Sequence, residues 1–180
     1  MTRMIRKTYA PISIFVVALS LALSSVSGAH AQQLNCSLLV DSLESNITLS
    51  LKTAETLLND ITIAAHPQGM LVGETGRQAL TNYIVLADQA SARMSLVLDD
   101  LSAMNQIGAE CIKEGHYVST IGQARSANNI DRYLNEKFTG ASSETSVFLT
   151  VATAVTLLAR AIGHKKSVLS ALVAEGYFLQ

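Results

Sequence analysis

Tryptophan is absent from this chain, and five tyrosines and four phenylalanines are its whole aromatic complement. Recognition of sugars or bases by stacking on aromatic rings is therefore poorly supplied. Charge is scarce too. Asp, Glu, Lys and Arg make up 15% of the chain, against roughly 25% in ordinary domains. The basic residues form no run and do not outnumber the acidic ones. That argues against nucleic acid or an anionic membrane surface as a partner.

Catalytic signatures are missing as well. There is no Gly-x-Ser-x-Gly elbow and no His-Glu-x-x-His pair. No two cysteines lie two to four apart and no His-x-x-x-His occurs, so a local zinc motif is ruled out. The adjacent carboxylates Asp99 and Asp100 diverge by about 100° on a helix and read as solvated surface. Gly69, Gly73 and Gly76 follow a helix and no strand, which leaves a phosphate cradle without support. No enzyme activity and no cofactor is expected.

What is present begins with the layout of a secretory signal peptide. Arg3, Arg6 and Lys7 precede an apolar run from Ile12 to Leu23, and a tail of small residues ends in Ala29-His30-Ala31. Cleavage is expected after Ala31. The run is too short for the roughly 20 residues of a membrane span. Lipid attachment at Cys36 is a poor fit after Leu34-Asn35, and Arg3 and Arg6 are not adjacent, so general secretion is expected. Asn35-Cys36-Ser37 and Asn46-Ile47-Thr48 match the short glycosylation pattern. The expected division is residues 1–31 as signal peptide and 32–180 as one domain, in the periplasm or outside the cell. Three of the 13 basic residues leave with the signal, so 10 face 14 acidic ones and the mature net charge is −4. The 149 residues that remain of the 180 suffice for one hydrophobic core.

Apolar residues recur every three or four positions, which predicts an all-α antiparallel bundle of four main helices plus a short C-terminal helix. The first stripe runs Cys36, Val40, Leu43, Ile47, Leu51, Ala54, Leu58, Ile61 and Ala65, and His66-Pro67 ends it. Thr75-Gly76-Arg77-Gln78 has the form of a capping box. It opens a second helix with Leu80, Ile84, Ala87, Ser91, Met94, Leu98 and Leu101 on one face. The third is expected from about Val118 to Phe138, closed by Gly140. The fourth starts near Ser142 or Ser143 and reaches Ile162; being apolar nearly all round, it reads as the buried central helix. The fifth covers about Val168 to Phe178.

Antiparallel packing of neighbours returns Cys111 to the level of Cys36. These are the only cysteines, and in an oxidising compartment a Cys36–Cys111 disulfide is the natural reading. The same topology carries His116, His164, Glu110 and Glu114 to that end. With free thiols, Cys36, Cys111, His116 and His164 would form a zinc or copper set. The plainer reading is loop histidines, with Lys165 and Lys166 favouring the negative end of the fourth helix.

These readings point to a non-enzymatic binding or structural module, such as an envelope adaptor, inhibitor or immunity-type protein. The rival is a metal or small-ligand carrier using the Cys/His end. Ser42, Ser45, Asn46, Thr53, Thr56 and Asn59 leave the outward side of the first helix uncharged. That side is expected to be covered by the same chain, by another envelope or secreted protein, or by a second copy. No stable membrane span is expected after cleavage.

Overall fold

The computed structural model describes residues 12–64, 74–143, 151–174 and 176, and the side chains of 35–63, 79–140, 152–174 and 176. Four α-helices account for nearly all of them: α1 (Ile12–Ala64), α2 (Glu74–Ile107), α3 (Glu114–Ser143) and α4 (Val151–Ala174). They pack against one another, and no strand occurs among the described residues. The chain divides into two units, Met1–Asn35 and Cys36–Gln180. In the first, Ile12–Asn35 is helical, with no break at Ala31. The second holds the rest of α1 together with α2, α3 and α4.

Within this second unit each helix buries a stripe of three- and four-residue steps. In α1 it runs Leu43, Ile47, Ser50, Ala54, Leu57 and Ile61. It is turned slightly from the expected one, with Leu51 and Leu58 half-buried. In α2, Tyr83, Ala90, Val97 and Met104 join Leu80, Ala87, Met94 and Leu101 in the interior. Residues along α1 meet descending residues of α2. Ser42 Oγ donates to Asp100 Oδ2 at 2.8 Å, Ser50 Oγ to the Ala90 carbonyl at 2.9 Å, and Tyr83 Oη to the Asp60 carbonyl at 3.3 Å.

Gly108 ends α2. Its amide donates to the Met104 carbonyl, its φ is 102°, and its own carbonyl accepts from Cys111 and Ile112. Residues 109–111 form a turn.

Three expectations are corrected. First, α3 continues past Gly140 to Ser143. A helical glycine costs only about 1 kcal/mol relative to alanine, and Phe138 and Leu134 are anchored in the core just before it. Ser142 and Ser143 thus close α3 and do not start the next helix. Second, no separate C-terminal helix exists among the described residues: α4 runs unbroken through Gly163 and Lys166 to Ala174, because Ala161, Lys165, Val168 and Leu172 keep one buried stripe. Third, α4 is not enclosed. Ala152, Thr153, Thr156, Ala159 and Arg160 are exposed. The expected His66-Pro67 stop, the Thr75–Gln78 capping side chains, Ala65, Val147 and Phe178 lie outside the described residues.

The core forms two apolar clusters. One gathers Leu43, Ile47, Met94, Leu101, Ile121 and Val168 with Cys111; the other gathers Leu57, Ile61, Tyr83, Leu134, Phe138 and Leu158. Tyr83 and Phe138 meet with ring centroids 5.8 Å apart.

Candidate functional site

Between the clusters in sequence, on all four helices, lies a layer of buried polar groups: Ser50, Ser91, Asn128, Asp131 and Lys165. Each occupies a position that the helical period assigns to the interior. Ser50 lies between Ile47 and Ala54, Asp131 between Ala127 and Leu134, Lys165 between Ala161 and Val168. The helices therefore carry these groups inward whatever their polarity.

Lys165 and Asp131 are at the centre, with side chains 0% and 1% exposed. Nζ lies 2.8 Å from Asp131 Oδ2, an ion-pair distance. Nζ also donates to the Ser50 carbonyl at a long 3.4 Å. Lys165 thus ties α4 to α3 and α1. Beside this pair, Ser91 Oγ donates to Asn128 Oδ1 at 3.3 Å and joins α2 to α3.

Burial pushes the Asp131 carboxyl above the ordinary carboxylate range, and the Lys165 charge only partly pulls it back. Burial likewise pushes the Lys165 ammonium down against the opposing pull of Asp131. In both, desolvation outweighs attraction, as expected where two ions leave water together. The pair is a strong tether between helices but a poor source of net stability.

The expected residues fall elsewhere. Cys36 and Cys111 are joined in a disulfide with Cα atoms 5.6 Å apart, tying α1 to the turn after α2. With both sulfurs bonded, neither supplies a thiolate to a metal, and no group of three metal-ligating side chains occurs among the described residues. His116 lies in the first turn of α3, near Cys111. His164 is not at that end. Its Nδ1 lies 2.6 Å from Gln123 Oε1, seven residues beyond His116 and so about 10 Å along α3. Leu169 and Val173 occupy the cysteine end instead. Lys165 is no helix-end cation, since α4 continues for nine residues beyond it; Lys166 pairs at 2.8 Å with Glu55 on the surface.

The uncharged side of α1 is covered in part by α2. Arg93 Nη1 donates to Asn46 Oδ1 at 3.0 Å and Asn46 Nδ2 to Ser42 Oγ at 3.2 Å. Asn46 is thereby buried and engaged. Ser45, Thr56 and Asn59 remain exposed. Asp99 is exposed, whereas Asp100 is half-buried against Ser42.

Asp131 and Ser50 were not singled out from the sequence. The signal for them is a polar residue on a buried stripe, and for the ion pair a cation and an anion in such positions on two different helices.

Among the described residues, no helix is long and apolar enough to cross a membrane. Comparison with known proteins finds no match: no family model, no curated protein and no solved structure is significantly similar to this chain.

Proposed function

We propose that the chain is exported, loses residues 1–31, and works in the periplasm or outside the cell as a small non-enzymatic helical binding module. In this reading the helices form an antiparallel bundle. The Ser42–Asp100, Ser50–Ala90 and Asp60–Tyr83 contacts support that order for α1 and α2. Export is supported by the basic and apolar start of the chain and by a disulfide, a bond that persists in oxidising compartments.

The observation that carries the binding role is a set of large apolar side chains left in solvent on α1 and α2: Leu38, Leu49, Ile63, Val85 and Leu96. The first three are 11 and 14 residues apart, the last two 11 apart. Both spacings lie close to whole helical turns, so each helix carries one stripe. On α1 the stripe flanks the side that meets α2 through Ser42 and Asn46, and on α2 the side that meets α1 through Arg93 and Asp100. We read these exposed apolar side chains, set three to four turns apart on each helix, as the anchor points of an association face, and another envelope or secreted protein is the expected partner.

The test is a photo-crosslinking amino acid at Leu49 or Leu96 in the producing cell. Adducts with one envelope or secreted protein are expected, those from position 49 lost in L96E and those from position 96 lost in L49E. Adducts with a second copy alone redirect the reading to self-association. No adduct at either position overturns it.

A further inference from the structure

We infer that the buried Asp131–Lys165 pair is a register device: it selects the axial position and rotation of α4, which apolar packing alone leaves weakly specified. The argument starts from α4 itself. Its buried stripe is Ala154, Leu158, Ala161, Lys165, Val168 and Leu172. Apart from the lysine, each position is filled by an aliphatic side chain. Half-buried Val155, Leu157 and Leu169 lie beside them. A slide of one turn therefore exchanges apolar groups for apolar groups. The opposite face restrains rotation no better, since Ala152, Thr156, Ala159, Gly163 and Ser167 are small and uncharged. The charges of α4's outer side, Arg160 and Lys166, stand only at the edges of this face, so the contrast between faces that orients an ordinary amphipathic helix is reduced here.

Lys165 removes the ambiguity. A one-turn slide displaces its ammonium by about 5–6 Å along α3, far beyond the 2.8 Å that now joins it to Asp131. It leaves both ions in an apolar interior without a partner, the most penalised of buried states. Rotation has the same result. The Ser50 carbonyl on α1 gives Nζ a second reference point outside α3. In the observed register, His164 meets Gln123 and Lys166 meets Glu55 on either side of the buried contact. The cost of desolvating two ions is spread over every register, but their attraction is recovered in one. A buried polar pair that specifies register at the expense of stability is an attested role for such groups.

The test is the disulfide-bonded mature chain carrying D131L/K165M, in which both ions are replaced by apolar groups of similar size. It is expected to fold with unchanged helix content and a urea midpoint at or above that of the parent. Its α4 amides are expected to give more than one set of NMR resonances, with the His164–Gln123 proximity signal weakened or split. A control, S91A/N128L, removes the other polar contact of the layer and keeps the pair; one set of resonances is expected. A single native set from D131L/K165M, with the His164–Gln123 signal intact, overturns the inference. So does failure of that variant to fold, which would make the pair a requirement of stability itself. Multiple states in the control also overturn it, since register would then belong to the polar layer as a whole.

Discussion

Lys165 Nζ and Asp131 Oδ2 stand 2.8 Å apart with neither side chain open to solvent, and that joint burial makes the two residues interdependent. Removing one ion leaves the other uncompensated in the core. K165M is expected to lower unfolding free energy by about 3–5 kcal/mol. Removing both ions abolishes the problem, so D131L/K165M is expected to regain that loss and to equal or exceed the parent by up to about 4 kcal/mol. Urea unfolding of the parent, the single and the double variant measures both steps. A double variant no more stable than K165M would contradict this account.

The same pair sets a dependence on pH. The folded-state pKa of Asp131 is raised from an ordinary 3.8, so the folded protein holds that proton more tightly. The stabilisation from Asp131 is complete below 3.8 and is lost as pH rises through the raised value. The pKa of Lys165 is lowered from an ordinary 10.5. Its stabilisation is complete above 10.5 and is lost as pH falls through the lowered value. Between the two shifted values the parent carries both penalties. The advantage of D131L/K165M over the parent is therefore expected to be widest in the neutral window and to shrink toward either extreme. Paired urea titrations across pH measure it; a constant gap would mean that neither pKa is shifted.

Most of the fold was legible in the sequence because apolar residues at helical spacing state which face is buried. Leu43, Ile47, Ala54 and Ile61 of α1 lie where the period puts them, and the Cys36–Cys111 bridge joins the only two cysteines of the chain. The polar layer was not legible, for the same reason in reverse. Ser50, Asp131 and Lys165 occupy interior positions of the period, but polarity argues for solvent, and only the facing helix shows that Lys165 has a partner. Reading Lys165-Lys166 as a helix-end pair assumed that α4 stops near Ile162, whereas Val168 and Leu172 carry it on. The small exposed residues of α4 made it resemble a central helix. Side chains as small as those of Ala152 and Ala159 are compatible with burial but do not require it.

The disulfide closes an interval of 75 residues that contains all of α2 and the C-terminal half of α1. Restricting an unfolded loop of that length is worth about 4 kcal/mol in the chain-entropy account. Reduction, or replacement of both cysteines by serine, is expected to lower stability by up to that amount. It also frays α1 near Asn35, where Cys36 is its connection to the turn after α2. Urea unfolding with and without reductant gives the first quantity, and amide hydrogen exchange over residues 36–43 gives the second. Unchanged exchange there would show that Leu39, Val40 and Leu43 hold that end without the bridge.

Gly108 and Gly122 separate backbone strain from steric space. A β-carbon added at either residue meets nothing within 4 Å, so crowding plays no part in the comparison. Gly108 has φ of 102° and uses that conformation to turn its carbonyl toward Cys111 and Ile112. An L-residue there carries a penalty of roughly 1–2 kcal/mol, and G108A is expected to be destabilised by about that much. The strain falls on the turn that holds Cys111 in the bridge. Gly122 lies inside α3 with an exposed, regular helical backbone. There alanine reduces the entropy lost on folding, and G122A is expected to gain about 0.5–1 kcal/mol. Opposite shifts in thermal midpoint are thus expected from one and the same chemical change. Shifts of equal sign would show that α2 does not depend on a left-handed residue for its end.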